Sequence, residues 1–435
     1  MKYCPRVYNY LYLDNPEGSI WLCQWMNHEQ GIIGNLINDD LDTCYNSEHA
    51  AELRKSIKDQ SFRFCRFEAC PFLQNDDLEE ITLDEYERRE KAQYSPTDIN
   101  MAYDFVCNQH CETCRKDVFV PGTNYALQMD TIQKKIAPYI DQAVFISASG
   151  HGDPFASKYM MNVLENLHPI NPDLKILLET NGVFFDEDHW AHIQHLKDSY
   201  LEIVVTINSF DKFTYEHISR GGNYEKLMHN LSFMSELREK GYLNILTQSL
   251  VIQDRNFREI PSFIERSFRD YCFDSVVLKP VYQWGTMDDD VYWFKDVLNP
   301  MHPYHEEYLE ILKHPALHDP RVYNFGGETS HEARPFPGSC QDTEKVKDLE
   351  RCILEKECII SNLQCELDQA RARSDGAEAA MNDQERRIQD LQARINREIC
   401  DLYQQLSDIQ NSKSFKIGRA VTYLPRKVRD AGKTE

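Results

Sequence analysis

The chain has 435 residues, room for two or three domains, and its 41% apolar and 27% charged content excludes wholesale disorder. Acids outnumber bases 71 to 48, a formal charge of −23, so a generally basic nucleic-acid surface is excluded and no nucleic-acid partner is expected. No apolar leader core opens the sequence and no stretch of about 18 apolar residues occurs in it, so a cytoplasmic location is expected, and the fourteen cysteines point to metal binding or catalysis rather than disulfides.

In chain order, residues 1–73 hold Cys4, Cys23, Cys44, Cys65 and Cys70. Residues 74–96 are acidic and polar, closed by Pro96, and read as a linker or a solvated helix. From 97 to 285, short apolar strands alternate with amphipathic helices. Strands are predicted at 101–106, 143–147, 175–180, 202–207, 244–251 and 274–280. The pattern predicts an α/β fold, a parallel sheet or barrel of βα units, with chemistry gathered at the carboxyl ends of the strands. Residues 286–341, rich in His, Pro, Tyr and Trp, read as an irregular extension with short helices.

Residues 342–411 carry a heptad. Val346, Ile353, Ile360, Leu367, Met381, Ile388, Ile395, Leu402 and Ile409 fall on one row, broken at Ser374, and the second row is half polar. A coiled coil is predicted, weakened near Gly376, and it needs a partner helix or a second copy to bury its stripe. Residues 412–435 form a basic, apolar tail with Lys413, Lys416, Arg419, Arg426, Lys427, Arg429 and Lys433. Such a tail suits an anionic membrane surface, making the protein peripheral to the membrane, or equally an acidic protein partner.

The deciding pattern is Cys107-Asn108-Gln109-His110-Cys111-Glu112-Thr113-Cys114. Its C-x₃-C-x₂-C spacing, directly after the first predicted barrel strand, lets one short loop present three soft thiolates to an iron–sulfur centre or zinc. Structural zinc wants four protein ligands, whereas three thiolates on a four-iron cube leave one iron open.

This segment resembles the defining loop of the radical S-adenosylmethionine (radical SAM) superfamily, which follows the first strand of a partial (β/α)6 TIM-like barrel. The resemblance implies that Cys107, Cys111 and Cys114 bind a [4Fe–4S] cluster whose open iron takes S-adenosylmethionine. Thr113 stands where many members have an aromatic residue. After the second strand, Ser149-Gly150-His151-Gly152-Asp153-Pro154 looks like the family's GGEP motif, with Asp for Glu. Thr180-Asn181-Gly182 matches TNG after the third strand, and Asn208 and Ser209 lie in a stretch resembling the one near the ribose. Arg220 resembles a basic residue that meets the carboxylate of S-adenosylmethionine. Taken singly, the glycines and Asn181-Gly182 are also ordinary turn signals.

The first 73 residues are similar to the SPASM/twitch auxiliary-cluster modules of radical SAM enzymes. The shared features are Cys4, Gly18 and Cys23, an IGNL stretch, the ELRKSI helix and the pair Cys65 and Cys70. The resemblance implies that Cys4, Cys23, Cys65 and Cys70 bind a second, auxiliary [4Fe–4S] cluster; a zinc site with the same ligands is the alternative. The module precedes the barrel, although it usually follows it, and Cys44 falls outside the pattern.

The implied chemistry is reductive cleavage of S-adenosylmethionine to abstract a substrate hydrogen, with an electron donor such as flavodoxin or ferredoxin. No general base is singled out. The tail resembles the ends of bacterial cell-surface glycosyltransferases, so the leading expectation is a sugar or cell-surface glycan precursor as substrate, with a peptide or protein as the second. A different class, a metal-stabilised coiled-coil adaptor without catalysis, keeps the same fold.

Overall fold

The computed structural model describes residues 1–90, 94–148, 150–328 and 333–337, with parts of 361–401. One compact unit comprises Met1–Thr286 with Ile311–Thr329, and a second comprises Met287–Glu310 with the chain from Ser330 onward.

The first unit is built on one ten-stranded sheet. Its strands, in chain order, are β1 (Tyr10–Leu13), β2 (Ser19–Trp21), β3 (Ile32–Asn35), β4 (Asp98–Met101), β5 (Phe145–Ala148), β6 (Lys175–Thr180), β7 (Tyr200–Thr206), β8 (Ile245–Ile252), β9 (Ser275–Pro280) and β10 (Val322–Asn324). Strands β4 to β10 lie side by side in sequence order, all parallel. The ladder does not close: beyond β4 the order runs β1, β2, β3, with β1 parallel to β4 and the last two antiparallel. The core is thus an α/β fold with a mostly parallel sheet, a partial barrel.

Residues paired in register share a face. Ile99, Ile146, Ile176, Leu178, Ile203, Leu250 and Leu278 lie on one face and are fully buried. This is the face helices cover; the helix Tyr224–Glu239, with Leu227, Leu231 and Met234 buried, packs against β8. The opposite face carries Asn100, Ser147, Glu179, Thr206, Ser249 and Lys279. On it, Lys279 Nζ of β9 reaches Glu179 Oε1 of β6 at 3.7 Å, three strands away. The inner face is therefore polar and ionic where the outer face is apolar.

Five of the predicted barrel strands agree with the structure to within a few residues, but the first does not. The segment 101–106 is expected to be a strand, yet the ladder covers Asp98–Met101, and the chain beyond Ala102 bonds elsewhere. Phe105 N–H donates to the Tyr125 hydroxyl at 2.8 Å, Val106 N–H to Asp104 Oδ1 at 3.0 Å, and the Val106 carbonyl accepts from Asp153 N at 2.9 Å. The apolar run continues, but its backbone serves the following loop.

The acidic segment 74–96 is no bare tether. Glu79–Glu80 pairs antiparallel with Lys2–Tyr3, and the helix Leu83–Glu90 turns its acids outward while burying Tyr86, whose hydroxyl bonds Tyr8 at 2.6 Å. In the second unit, Trp293 is buried against Phe336, ring centroids 5.0 Å apart, and its indole N–H donates to the Arg334 carbonyl at 2.6 Å. Most of the predicted coiled coil 342–411 and the whole tail 412–435 lie outside the described residues. Of the described part, 361–363 and 389–399 are helical, and Leu363, Leu391 and Ile395 of the heptad rows are buried. No helix among the described residues is long and apolar enough to cross a membrane.

Candidate functional site

The loop bearing Cys107, Cys111 and Cys114 leaves β4 a few residues past its carboxyl end and docks on the segment 218–221. His110 N–H donates to the Arg220 carbonyl at 2.9 Å and Glu112 N–H to the Ile218 carbonyl at 3.1 Å. Within the loop, the amides of Cys114 and Arg115 both donate to the Cys111 carbonyl, at 3.0 and 3.1 Å. Gly221, at φ +82°, gives the docking room, because a Cβ there would stand 3.1 Å from the Asn108 carbonyl. Arg220 ties the assembly from outside through a 3.0 Å ion pair with Glu112.

The three thiols share one small region. Burial pushes Cys107 up to about 11, with Asp153 and Cys114 adding to it, and burial pushes Cys111 up to about 12, with Cys114 and Cys107 adding. Cys114 is exposed. Thiols that penalise one another's ionisation in this way are converted to stable thiolates by a bound cation or cluster, so the donor set fits an iron–sulfur group. Among the described residues no three His, Cys, Asp or Glu side chains are gathered tightly enough for a single metal ion. A cube suits a wider spacing, because each thiolate binds a different iron.

The motif residues after β5 and β6 form the wall behind this loop. A Cβ on Gly150 (φ +119°) would meet Ala102 Cβ at 2.6 Å, and one on Gly152 would meet the carbonyls of Asp104 and Val106 at 2.5 Å. Both glycines let the β5 loop press onto the strand that feeds Cys107. Asp153 is buried with both oxygens occupied. Oδ2 accepts from Asn181 N–H at 2.7 Å and Thr180 Oγ1 at 2.8 Å, and Oδ1 accepts from the amides of Phe155 and Ala156 at 3.0 and 3.3 Å. Burial raises its pKa, against the lowering by these four donors. Asp153 thus latches the β5 loop to the end of β6. Pro154 lines a small cavity with Asp104, Gly152 and Asp153. Asn181 touches the loop from this wall: its Nδ2 lies 2.8 Å from Asn108 Oδ1 and 3.8 Å from Cys107 Sγ.

Asn208 and Ser209 lie at the end of β7. Asn208 is buried, bonding Ser219 Oγ at 3.4 Å and accepting from Val251 N–H at 3.2 Å. Ser209 bonds Glu259, which burial raises to about 7. Thr180, Asn208 and Asp153 therefore act as struts between strand ends, while Asn181 and the cysteine loop form the front. Ser149 lies outside the described residues.

Two residues not singled out from the sequence complete the loop. Gln109 is buried, accepting from Cys111 Sγ at 3.3 Å and donating to the Tyr215 hydroxyl at 3.0 Å. Asp104 gathers Tyr125 OH at 2.6 Å, Val106 N–H and Ser157 Oγ beneath the strand. An acid three residues before the first cysteine was the available sequence signal for Asp104. Gln109 had none beyond its place in the loop.

The N-terminal cysteines come together from four segments. Cys4, Cys23, Cys65 and Cys70 line one small cavity, walled by Val7, Met26, Phe62 and Phe72 among others. Burial pushes Cys23 and Cys65 up to about 12, with the neighbouring cysteines adding. Trp25 N–H donates to Cys23 Sγ at 3.5 Å. Cys44 is not part of the group; it packs on Gly34, where an added Cβ would lie 2.4 Å from Cys44 Sγ. Cys340, Cys352, Cys358 and Cys400 lie outside the described residues.

Residues 105–266 match the sequence model of the Radical SAM superfamily. They form a radical SAM domain. Two curated proteins align with part of the chain: GTP 3',8-cyclase of Actinobacillus succinogenes, 24% identical over 161 residues, and GTP 3',8-cyclase of Limosilactobacillus fermentum, 25% identical over 162 residues. These alignments cover 37% and 36% of this chain, and the chain spans less than half, 46%, of each relative. Among solved structures, Streptococcus suis SuiB bound to S-adenosylmethionine is similar at TM-score 0.35 and 11% identity, covering 66% of this chain and 61% of that one. Native anSMEcpe with bound AdoMet and Kp18Cys peptide is similar at TM-score 0.31 and 13% identity, covering 49% of this chain and 61% of that one. Likeness at this level says nothing about this chain's substrate. The three-thiol loop is the donor set that a [4Fe–4S] cluster with one open iron requires.

Proposed function

We propose that the protein is a radical SAM enzyme in which Cys107, Cys111 and Cys114 hold the S-adenosylmethionine-binding [4Fe–4S] cluster and Cys4, Cys23, Cys65 and Cys70 hold an auxiliary one. The carrying observation is the three-thiol loop, docked on 218–221 at the carboxyl end of β4 inside the radical SAM domain. Cluster and S-adenosylmethionine, when bound, supply one-electron cleavage of a sulfonium and the removal of a hydrogen atom from an unactivated carbon.

The chain's own residues bind and orient. Gly150, Gly152 and Pro154 shape the surface the cofactor would lie on. Asp153 and Thr180 fix the β5 and β6 ends. Asn181 stands beside Cys107, and Asn208, Ser209 and Arg220 hold the far rim. The polar inner face, with Lys279 and Glu179, offers charge to a substrate within the barrel. The four thiols lining one cavity supply the complete ligand set of a closed cluster, with a zinc site on the same four ligands as the alternative. This cluster would receive or anchor the substrate electron, with flavodoxin or ferredoxin as external donor.

For the substrate we propose a nucleotide sugar or cell-surface glycan precursor. One feature supports the class: the likeness of the tail to the ends of glycosyltransferases. The coiled coil and tail would bring the enzyme to a partner or an anionic membrane surface.

Anaerobic reconstitution tests the reading. About eight irons per chain are expected, with 5'-deoxyadenosine formed after reduction. Ring-deuterated nucleotide sugars, GTP and a peptide pool are then compared for deuterium in the 5'-deoxyadenosine; label from the nucleotide sugars is expected. A colourless, zinc-loaded protein that leaves S-adenosylmethionine intact would overturn the enzyme reading in favour of an adaptor. Label from the peptide pool alone would overturn only the substrate class.

A further inference from the structure

The four-thiol cavity contains a charge that nothing else in the module explains. Arg6, two residues after Cys4, lines the cavity together with all four cysteines. Its guanidinium lies 4.4 Å from the Tyr10 ring centroid and 5.3 Å from that of Phe72, and its Nη1 is buried without a hydrogen-bond partner. Among the described residues Arg6 forms no ion pair. Asp98 feels its charge but stands outside ion-pair distance, whereas Cys23 and Cys4 are both within electrostatic reach of the guanidinium.

Arg6 is half-buried, and its buried Nη1 without an acceptor carries a cost. The neighbouring Arg54 is satisfied differently: its Nε donates to the Val7 carbonyl at 2.9 Å and its guanidinium lies over Tyr45 and Tyr94. Arg6 has aromatic faces but no acceptor at Nη1. The Tyr10 hydroxyl serves another part of the guanidinium, and an anionic group in the cavity the thiols line would supply both the acceptor and the counter-charge. A [4Fe–4S]²⁺ core carries two positive charges and four thiolates carry four negative ones, so the filled site is dianionic and becomes trianionic on gaining one electron.

We propose that the Arg6 guanidinium is the resident counter-ion of the N-terminal cluster and raises its reduction potential. The inference rests on the auxiliary-cluster reading above. A fixed cation favours the more negative of two states in a low-dielectric site, and cluster potentials respond to net charge and to hydrogen bonds on sulfur. Arg6 thus makes the auxiliary cluster easier to reduce than it would be without the cation, which suits an electron acceptor.

The test uses the full chain in a C107A/C111A/C114A background, so that the N-terminal cluster is observed alone. Iron content and the electron paramagnetic resonance signal are followed in a mediated redox titration. Arg6→Gln is expected to keep about four irons and to lower the reduction equilibrium constant about tenfold, about 59 mV for one electron. Arg6→Lys, which keeps the charge, is expected to stay within about threefold of the parent. Arg6→Gln with full iron and an unchanged potential overturns the proposal. Should the Gln variant bind iron poorly, a drop of about tenfold or more in Arg6→Lys, which keeps the charge, overturns it. A parent protein holding zinc or no iron at this site overturns the auxiliary-cluster reading itself, a separate outcome seen before any variant is compared.

Discussion

The molecule gathers cysteines in two ways. At the barrel mouth, three thiols stand on one loop of eight residues, and Cys114 faces solvent. In the N-terminal module, four thiols converge from positions 4, 23, 65 and 70 into an apolar-walled cavity, with Cys23 and Cys70 buried. The first arrangement has one ligand fewer than a cube has irons and an open side, as cofactor chemistry requires. The second has four thiols, an apolar wall and a cation of its own, Arg6. The contrast teaches that a reactive site needs a local loop free to present its ligands, whereas an enclosed site needs ligands delivered by separate elements that pack around it.

That contrast can be broken most directly by removing one site and watching the other. The C107A/C111A/C114A variant is expected to lose all 5'-deoxyadenosine formation and half the iron, leaving about four. Loss of all eight irons would show that the two sites fold as one, through the sheet they share.

A smaller effect sharpens the account of what holds the reactive loop. Gly152→Ala places a methyl 2.5 Å from the carbonyls of Asp104 and Val106. The overpacking is expected to cost about 1–3 kcal/mol and to lower iron occupancy at the loop. Thermal unfolding and iron analysis check this, and the N-terminal cluster signal should stay intact.

The smallest expected effect concerns Glu259. Its carboxyl is raised by burial from 4.5 to about 7, so the folded protein holds a proton that the unfolded chain releases. Stability therefore falls as pH rises from about 4.5 to 7, and the loss is complete above 7. Glu259→Gln is expected to raise the melting temperature at pH 8 relative to the parent by about 2–4 °C, with little change at pH 4. An equal shift at both pH values would assign the effect to packing instead.

The C-x₃-C-x₂-C loop was legible in the sequence because all its ligands lie within eight residues, and strand–helix alternation located five of six barrel strands because a buried parallel strand must be apolar along its length. The sequence also named Cys4, Cys23, Cys65 and Cys70, through spacing and resemblance. Their common cavity depends on contacts between distant segments, which no local pattern encodes. Asp153 and Asn181 were named as cofactor residues. Their division of labour, one latching strand ends and the other touching Cys107, needed the hydrogen bonds. Gln109 and Arg6 carry no local signature, and Asp104 only its place three residues before the first cysteine, because an amide, an acid or a guanidinium acquires its role from what surrounds it. Periodicity and ligand spacing are short-range properties of a chain. Which polar groups end up buried without partners, and beside which thiols, is set only when segments tens of residues apart exclude water together.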